Sequence, residues 1–527
     1  MRLLLALFTA VACLAIERVG ITASRDLTLD DAVAMALRDN LDVRVERDNV
    51  SSARQAENGA RGFYDPVFHA GSQFQVLNTP SPSVLSGEAG NLAEHDFTGS
   101  AGVRQRSIQG SLFDITVDGG RTSTNNPFIG LNPYYTSQLK LEWTQPLLRG
   151  RTIDADRATM KIRAVQTGLA RTQLELRAID IVTRVEQAYW DLAAARDSAA
   201  VNREAADLAR TQLAQNRRMI AAGSLAAVEL SASEAELQRR LDNWYASLDI
   251  ITTAENNLKM LIAPRPDDPV WNQELLPAAA GSEIPASAAD LHATIERALK
   301  LRPELRAIDQ QQSVNDIDQK QNVDQARPAL NLVASYTNAG LTGTARTTPD
   351  PFTSAIDPYA LRINDLSTLA GVTALPPASL GTLGSVGRLH SVQAGLNFEW
   401  TARNRQARAN VEQSVIESHK LKLQRTQVEQ AIVADVRNAL QTLATARQRI
   451  TAAEAGAKAA KEKLESEQRL FANGESTNFL ALTRQNEYSD ARQRLLAARL
   501  DFNKAVARYQ QAAGETLEAR KLQWEIP

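Results

Sequence analysis

The sequence has a single cysteine, and it has almost no excess of charge of either sign. Cys13 lies in an apolar segment at the start, so the rest of the chain contains no disulfide. A cysteine-free body fits the bacterial periplasm or outer membrane, and it also fits many cytosolic proteins. The 59 Lys and Arg residues nearly balance the 61 Asp and Glu residues, giving a formal net charge of −2. Neither half is strongly basic, which argues against a nucleic-acid partner.

The sequence also lacks the residue patterns of catalytic and metal sites. Its five histidines are scattered without metal-ligand spacing, and we find no Gly-rich phosphate loop, nucleophile elbow or H-E-x-x-H motif. The acidic residues lie among Arg and Lys on helical segments, as on the solvated faces of a coiled coil. We therefore predict no enzyme activity, no cofactor and no metal.

Long apolar runs are missing after the first residues. Residues 1–23 combine Arg2 with an apolar stretch and small residues near its end, and we interpret them as a secretory signal peptide. The alternative is a lipoprotein signal with Cys13 as the lipidated residue. The longest later uncharged stretch, 366–387, contains Pro376-Pro377 together with Gly and Ser, so it is interpreted as a loop rather than a membrane helix.

The chain contains an internal duplication. Three pairs of segments correspond in order and share their apolar frame: Leu29–Leu37 with Leu291–Leu299, Tyr64–Phe68 with Ala326–Leu330, and Met219–Gly223 with Leu470–Gly474. We assign a first structural repeat to 27–265 and a second to 288–515. Repetition of a whole unit indicates one pseudo-symmetric body rather than two domains with separate functions.

Alternating segments predict strands in both repeats, over 66–147 and 328–401. The clearest are Phe68–Val76, Tyr135–Trp143, Leu330–Tyr336 and Val392–Trp400. Their length suits a strand that crosses a bilayer at a tilt, although a half-buried strand of a soluble sandwich alternates in the same way. The first repeat has more strand-like sequence than two strands require, because residues 97–120 are also strand-like. They predict an extra hairpin outside the barrel, unless the strand boundaries are displaced.

Long helices dominate the rest of each repeat. Residues 153–222 contain no proline, and their apolar residues recur three and four positions apart, as in helices packed in a coiled-coil manner. The predicted helices are 153–222 and 226–261 in the first repeat, and 406–472 and 479–513 in the second. Nearly 70 residues at about 1.5 Å each make a rod of roughly 100 Å.

These helices and strands are incomplete in a single chain. The apolar stripe of each rod is thin, so it needs neighbours on both sides. Two to four strands cannot close a barrel, and open strand edges are not tolerated in lipid. Both arguments predict a ring of several protomers.

Over 27–515 the sequence resembles the TolC family of outer-membrane efflux proteins. The segments that carry the resemblance are Leu29–Leu37 with Asn40–Val43, their echo Leu291–Leu299 with Arg302–Leu305, Gln145–Leu148 at the end of the first strand block, and Trp400–Ala409 at the start of the second long helix. Each segment is a weak signal alone, but the segments occur in this order and twice, which makes the resemblance specific.

The resemblance implies a mixed, mainly α fold. Duplicated helical hairpins form a periplasmic α-barrel, and each of three protomers gives four strands to one shared 12-stranded transmembrane β-barrel. It also implies a passive duct in the bacterial outer membrane, reaching into the periplasm. The implied partners are two further copies of the chain, a periplasmic adaptor (membrane fusion) protein, an inner-membrane pump and outer-membrane lipid.

The resemblance places adaptor docking, and the tunnel entrance, at the two hairpin tips. The residues expected there are Ala222, Gly223, Ser224 and Leu225 in the first repeat, and Asn473, Gly474, Glu475 and Ser476 in the second. A tight helix reversal also needs glycine for purely conformational reasons. An acidic residue often follows the tip glycine by six positions in the family; the first repeat keeps Glu229, whereas the second has Leu480.

We therefore expect the channel of a tripartite efflux or type I secretion system. The alternatives are a periplasmic adaptor, which usually has one hairpin between split β-domains, and a coiled-coil scaffold, which would have no amphipathic strands of membrane length.

Overall fold

The structure is a computed structural model that describes residues 20–80, 90–127, 129–223, 226–278, 290–345 and 390–520. Most of the predicted signal peptide, with Cys13, lies outside these ranges, as do Ser224 and Leu225. The helices are α1 (Leu29–Asp39), α2 (Leu41–Arg61), α3 (Ala155–Ala221), α4 (Val228–Ile262), α5 (Leu291–Leu301), α6 (Pro303–Gln325), α7 (Arg405–Ala472), α8 (Asn478–Ala513) and α9 (Thr516–Ala519). The strands are β1 (Ala23–Leu27), β2 (Val67–Pro80), β3 (Asn91–Arg106), β4 (Leu112–Thr124), β5 (Leu131–Pro146), β6 (Gln273–Pro277), β7 (Ala329–Ala345) and β8 (His390–Glu399). Across the ranges listed, no helix has both the length and the apolar character to cross a membrane.

The two repeats begin with the same capped helix pair. Thr28 caps α1 by accepting a hydrogen bond from the Asp31 N–H, and Asp290 caps α5 by accepting one from the His292 N–H. Such side chains satisfy a backbone N–H that the first helical turn leaves without a partner. Within each repeat the short first helix then contacts the last long helix, α1 with α4 and α5 with α8.

The chain divides into two compact units, and each takes segments from both repeats. The first comprises the described residues within 1–52, 168–310 and 422–527, and the second those within 53–167 and 311–421. The division therefore does not follow the boundary between the repeats.

The first unit has an apolar core made from helices of both repeats. In the second repeat, Ile432, Val436 and Leu443 of α7 are buried with Val506 and Tyr509 of α8. In the first repeat, the largest fully buried apolar side chains include Tyr189, Ile181, Leu192, Leu258 and Ile262. The Tyr189 hydroxyl donates a hydrogen bond to the Leu27 carbonyl at 3.1 Å. Leu27 ends β1, which pairs in parallel with β6.

The second unit contains one antiparallel sheet of six strands, in the order β2-β3-β4-β5-β7-β8. The sheet therefore has two strands more than the four per protomer that the resemblance implies for the barrel. Residues 97–120 do form the hairpin β3–β4, but that hairpin lies inside the sheet, hydrogen-bonded to β2 on one side and to β5 on the other. The sequence signal was weak because Gly99, Ala101 and Gly119 occupy positions where large apolar residues would mark a strand face.

Candidate functional site at the hairpin tips

Both long hairpins reverse at a glycine with left-handed backbone conformation. Gly223 has φ +71° and Gly474 has φ +83°, a region that side-chain-bearing residues rarely adopt. The Gly223 N–H donates to the Ile220 carbonyl at 2.9 Å, and the Gly474 N–H donates to the Phe471 carbonyl at 3.1 Å. These bonds satisfy carbonyls at the ends of α3 and α7. The expected tips are therefore turns that require glycine.

The tip residues are accessible. Ala222, Gly223, Asn473, Gly474 and Glu475 are exposed, and a Cβ built on either glycine would meet no atom within 4 Å. In the second tip the Ser476 hydroxyl donates to the Glu467 carboxylate, and the Thr477 side chain caps α8 by accepting from the Leu480 N–H. The backbone is thus fixed while the outer surface stays open.

Just inside the tips, five polar side chains form what we call the tip amide cluster: Gln212 and Asn216 of α3, Glu229 and Ser233 of α4, and Asn478 of α8. Asn216 Nδ2 donates to Ser233 Oγ at 2.7 Å and to Asn478 Oδ1 at 2.9 Å. Asn478 Nδ2 donates to Glu229 Oε2 at 2.9 Å. Gln212 Nε2 donates to Asn216 Oδ1 at 2.9 Å. The cluster links the first hairpin to the first turn of α8.

The tip amide cluster is buried, so its hydrogen bonds contribute to the stability of the tip. Asn216, Ser233 and Asn478 are at most 3% exposed. Burying an amide without a partner costs about 1–3 kcal/mol, so the side chains must stay together to remain satisfied. Their mutual bonds therefore specify one alignment of α8 against α3 and α4.

Polar contacts continue along α8 away from the tip. Arg240 of α4 is buried, and it donates to Glu236 at 2.8 Å, to Ser489 at 3.4 Å and to the Asn486 side chain. Arg492 of α8 is paired with Glu204 of α3. Near its other end α8 instead belongs to the apolar cluster around Tyr509. The tip half of α8 is thus held by hydrogen bonds, and the far half by apolar packing.

Of the residues selected from the sequence, Glu229 is the one that joins the cluster. The other four members, Gln212, Asn216, Ser233 and Asn478, were missed. An amide on a long helix looks the same in sequence whether it is solvated or buried. The one available signal was Asn478 itself, which directly follows the helix-capping Thr477.

A second feature is the amphipathic sheet. Along each strand, every second side chain lies on one face of the sheet. That face carries these exposed large apolar residues: Phe68, Phe74, Phe97, Phe113, Ile115, Val117, Leu141, Val392, Leu396 and Phe398. Water-soluble proteins rarely expose so large an apolar surface.

Solved structures of outer-membrane channels share this fold. The structure of the Campylobacter jejuni CmeC outer membrane channel aligns with a TM-score of 0.63, at 14% identity, over 93% of this chain and 86% of that one. The outer membrane protein VceC from Vibrio cholerae aligns with a TM-score of 0.60, at 12% identity, over 92% and 96%. The open state of the Neisseria gonorrhoeae MtrE channel gives 0.58, at 16% identity, over 93% and 89%. At these identities the likeness shows the fold.

One family model matches part of the sequence. Residues 294–515 match the family model described as outer membrane efflux protein, and the match lies within the predicted second repeat. A search of curated proteins found no significant match. The resemblance to the outer-membrane efflux proteins is thus confirmed, and the matched family consists of channel proteins, not enzymes.

Proposed function

We propose that this chain is the outer-membrane channel of a tripartite efflux or type I secretion system. It acts as a passive trimeric duct that receives substrates from an inner-membrane pump through a periplasmic adaptor. The observation that supports this most strongly is that one chain combines two glycine-tipped helical hairpins with a sheet whose apolar face is exposed. The sheet suits lipid on one side, and the hairpins extend the duct into the periplasm.

The tips are the proposed docking sites of the adaptor, formed by Ala222, Gly223, Ser224, Leu225, Asn473, Gly474, Glu475 and Ser476. Support comes from the exposure of Ala222, Gly223, Asn473, Gly474 and Glu475, and from the open space around both glycines. A partner can approach the backbone closely at Gly223 and Gly474, because glycine has no side chain.

A gene deletion in the source bacterium tests this function. Deletion should raise the cellular accumulation of an efflux dye such as ethidium, or abolish secretion of an exported protein. A plasmid copy should restore export, and the restored protein should fractionate with the outer membrane. A protein found in the soluble periplasm, with export unchanged, would contradict the proposal and favour an adaptor or scaffold.

A further inference from the structure

The hairpin β3–β4 shares both faces of the sheet with its neighbours. In the strand register Phe97 of β3 lies opposite Phe74 of β2, and Val117 of β4 lies opposite Leu139 of β5. Phe97 is 51% exposed and Ile115 of β4 is 48% exposed. The apolar face therefore continues through the hairpin from Phe113 and Val103 to Phe97, and it ends at His95 and Arg121.

The opposite face of the hairpin is polar. Asp96 and Thr98 of β3, and Asp114, Thr116 and Asp118 of β4, alternate with the apolar residues. Across this face Arg104 pairs with Asp114 at 2.7 Å. A wall between lipid and water requires this alternation, whereas a hairpin surrounded by water does not. We conclude that β3 and β4 belong to the lipid-facing wall.

The two outer strands of the sheet have open edges. In the part of the chain that the structure describes, β2 and β8 end the strand order, so each pairs on one side only. Both are long enough to cross a bilayer at a tilt, with 14 residues in β2 and 10 in β8. Unpaired N–H and C=O groups at such depth cost several kcal/mol each, so the edges need partner strands.

We propose that β2 of one copy pairs with β8 of the next, and that three copies close an eighteen-stranded barrel from the six sheet strands described in each copy. The proposal rests on the proposed function as a trimeric outer-membrane channel. It departs from the four strands per protomer that the family resemblance implies. Because barrel diameter grows roughly linearly with strand number, the membrane duct would be about one and a half times as wide as a twelve-stranded one.

Disulfide scanning in the intact protein tests the proposed junction. In a Cys13→Ala background, which removes the only cysteine, Gln393→Cys in β8 is combined in turn with Gly71→Cys, Gln73→Cys or Gln75→Cys in β2. All four positions lie on the polar face. Oxidation in isolated outer membranes should link at least one pair between chains and yield a covalent trimer on a non-reducing gel.

Three controls fix the geometry. Ser335 lies opposite Gln393 within one chain, so that cysteine pair should crosslink inside the chain. In the pair Gln393→Cys with Phe74→Cys, one side chain lies on the polar face of the sheet and the other on the apolar face, so this pair should not crosslink. Gln73 in β2 and Gln138 in β5 are separated by β3 and β4. At the usual strand spacing the two strands lie about 14 Å apart, a distance that a disulfide cannot span. This last pair should stay reduced.

Each other outcome contradicts the inference in a recognisable way. A Gln73–Gln138 crosslink within one chain would mean that β3–β4 projects from the wall and β2 pairs with β5. A covalent dimer in which both β2–β8 junctions are crosslinked would mean that two copies close a barrel of twelve strands. A membrane-inserted trimer without any β2–β8 crosslink would overturn the inference alone, whereas a protein that neither trimerises nor inserts would overturn the proposed function itself.

Discussion

Asn478 Nδ2 lies 2.9 Å from Glu229 Oε2, and this bond joins α8 of the second repeat to α4 of the first across 249 residues of sequence. Glu229 is the acidic residue that the first repeat keeps after its tip glycine, and Leu480 stands at the matching place in the second. The two tips are thus chemically different. The first provides the carboxylate, and the second provides the amide that binds it.

Asn478→Ala should loosen the tip of α8. The substitution removes the partner of Glu229 and of the buried Asn216 amide, which should cost about 1–3 kcal/mol. Hydrogen exchange measured by mass spectrometry should become faster in the first turns of α8 and in the facing part of α3. Asn473→Ala, at the exposed tip, is the matched control and should change neither region. Unchanged exchange in both variants would show that the cluster does not fix α8.

Gly223→Trp and Gly474→Trp should reduce export without reducing the amount of trimer. A non-glycine residue in this conformation costs about 1–2 kcal/mol. Its Cβ would meet no atom within 4 Å, so the fold should survive while the docking surface is blocked. Export and outer-membrane trimer are measured in the same cells. Gly456→Trp is the control, because Gly456 is an exposed residue of α7 that also has open space around it. Normal export by both tip variants would refute docking at the tips.

Glu186 should make the fold more stable as the pH falls. Its side chain is 2% exposed and accepts a hydrogen bond from Arg520 Nε at 2.8 Å, and Arg520 also contacts Asp30. Burial raises the pKa of Glu186 above 4.5, although Arg520 acts in the opposite direction. The folded state then holds the proton more tightly than the unfolded state. The resulting stabilisation is complete below about pH 4.5 and is lost as the pH rises through the raised value.

The corresponding measurement compares melting temperatures of the wild type and Glu186→Gln between pH 7 and pH 5. The wild type should gain stability relative to the variant as the pH falls. Arg520→Met should steepen the dependence, since it removes the cation that favours the charged carboxylate. A difference that stays constant with pH, or grows in the other direction, would contradict this account.

Lys259→Met should destabilise the first unit by about 3 kcal/mol, because it removes one partner from a buried ion pair. Lys259 and Glu255 are each 1% exposed, with Nζ 2.7 Å from Oε1, and Lys259 also donates to the Trp271 carbonyl at 3.0 Å. Thermal unfolding in detergent measures the loss. The double variant Lys259→Met with Glu255→Leu should recover part of it, because no buried carboxylate then remains without its nearest cation. Arg196, which also contacts Glu255, keeps Glu274 as its partner at 2.8 Å. Equal losses in the single and double variants would show that packing, not charge, sets the cost.

The long helices were predictable because their signals are local. A proline-free stretch with an apolar stripe ends at a glycine, and the observed α3 and α7 lie within a few residues of the predicted ranges. The strand count was not predictable to the same degree. In β3 and β4 the apolar-face positions Gly99, Ala101 and Gly119 are small, so the alternation is weak. The amide cluster depends on the alignment of α8 with α3 and α4, which no local pattern encodes.

The central claim is that this chain forms a trimeric duct, and planar-bilayer recording tests it most directly. The mature protein is purified in detergent, its oligomeric mass is measured, and the same sample is added to a lipid bilayer under voltage. A trimer that inserts and produces discrete conductance steps is the predicted result. A protein that stays monomeric and never conducts would contradict the account.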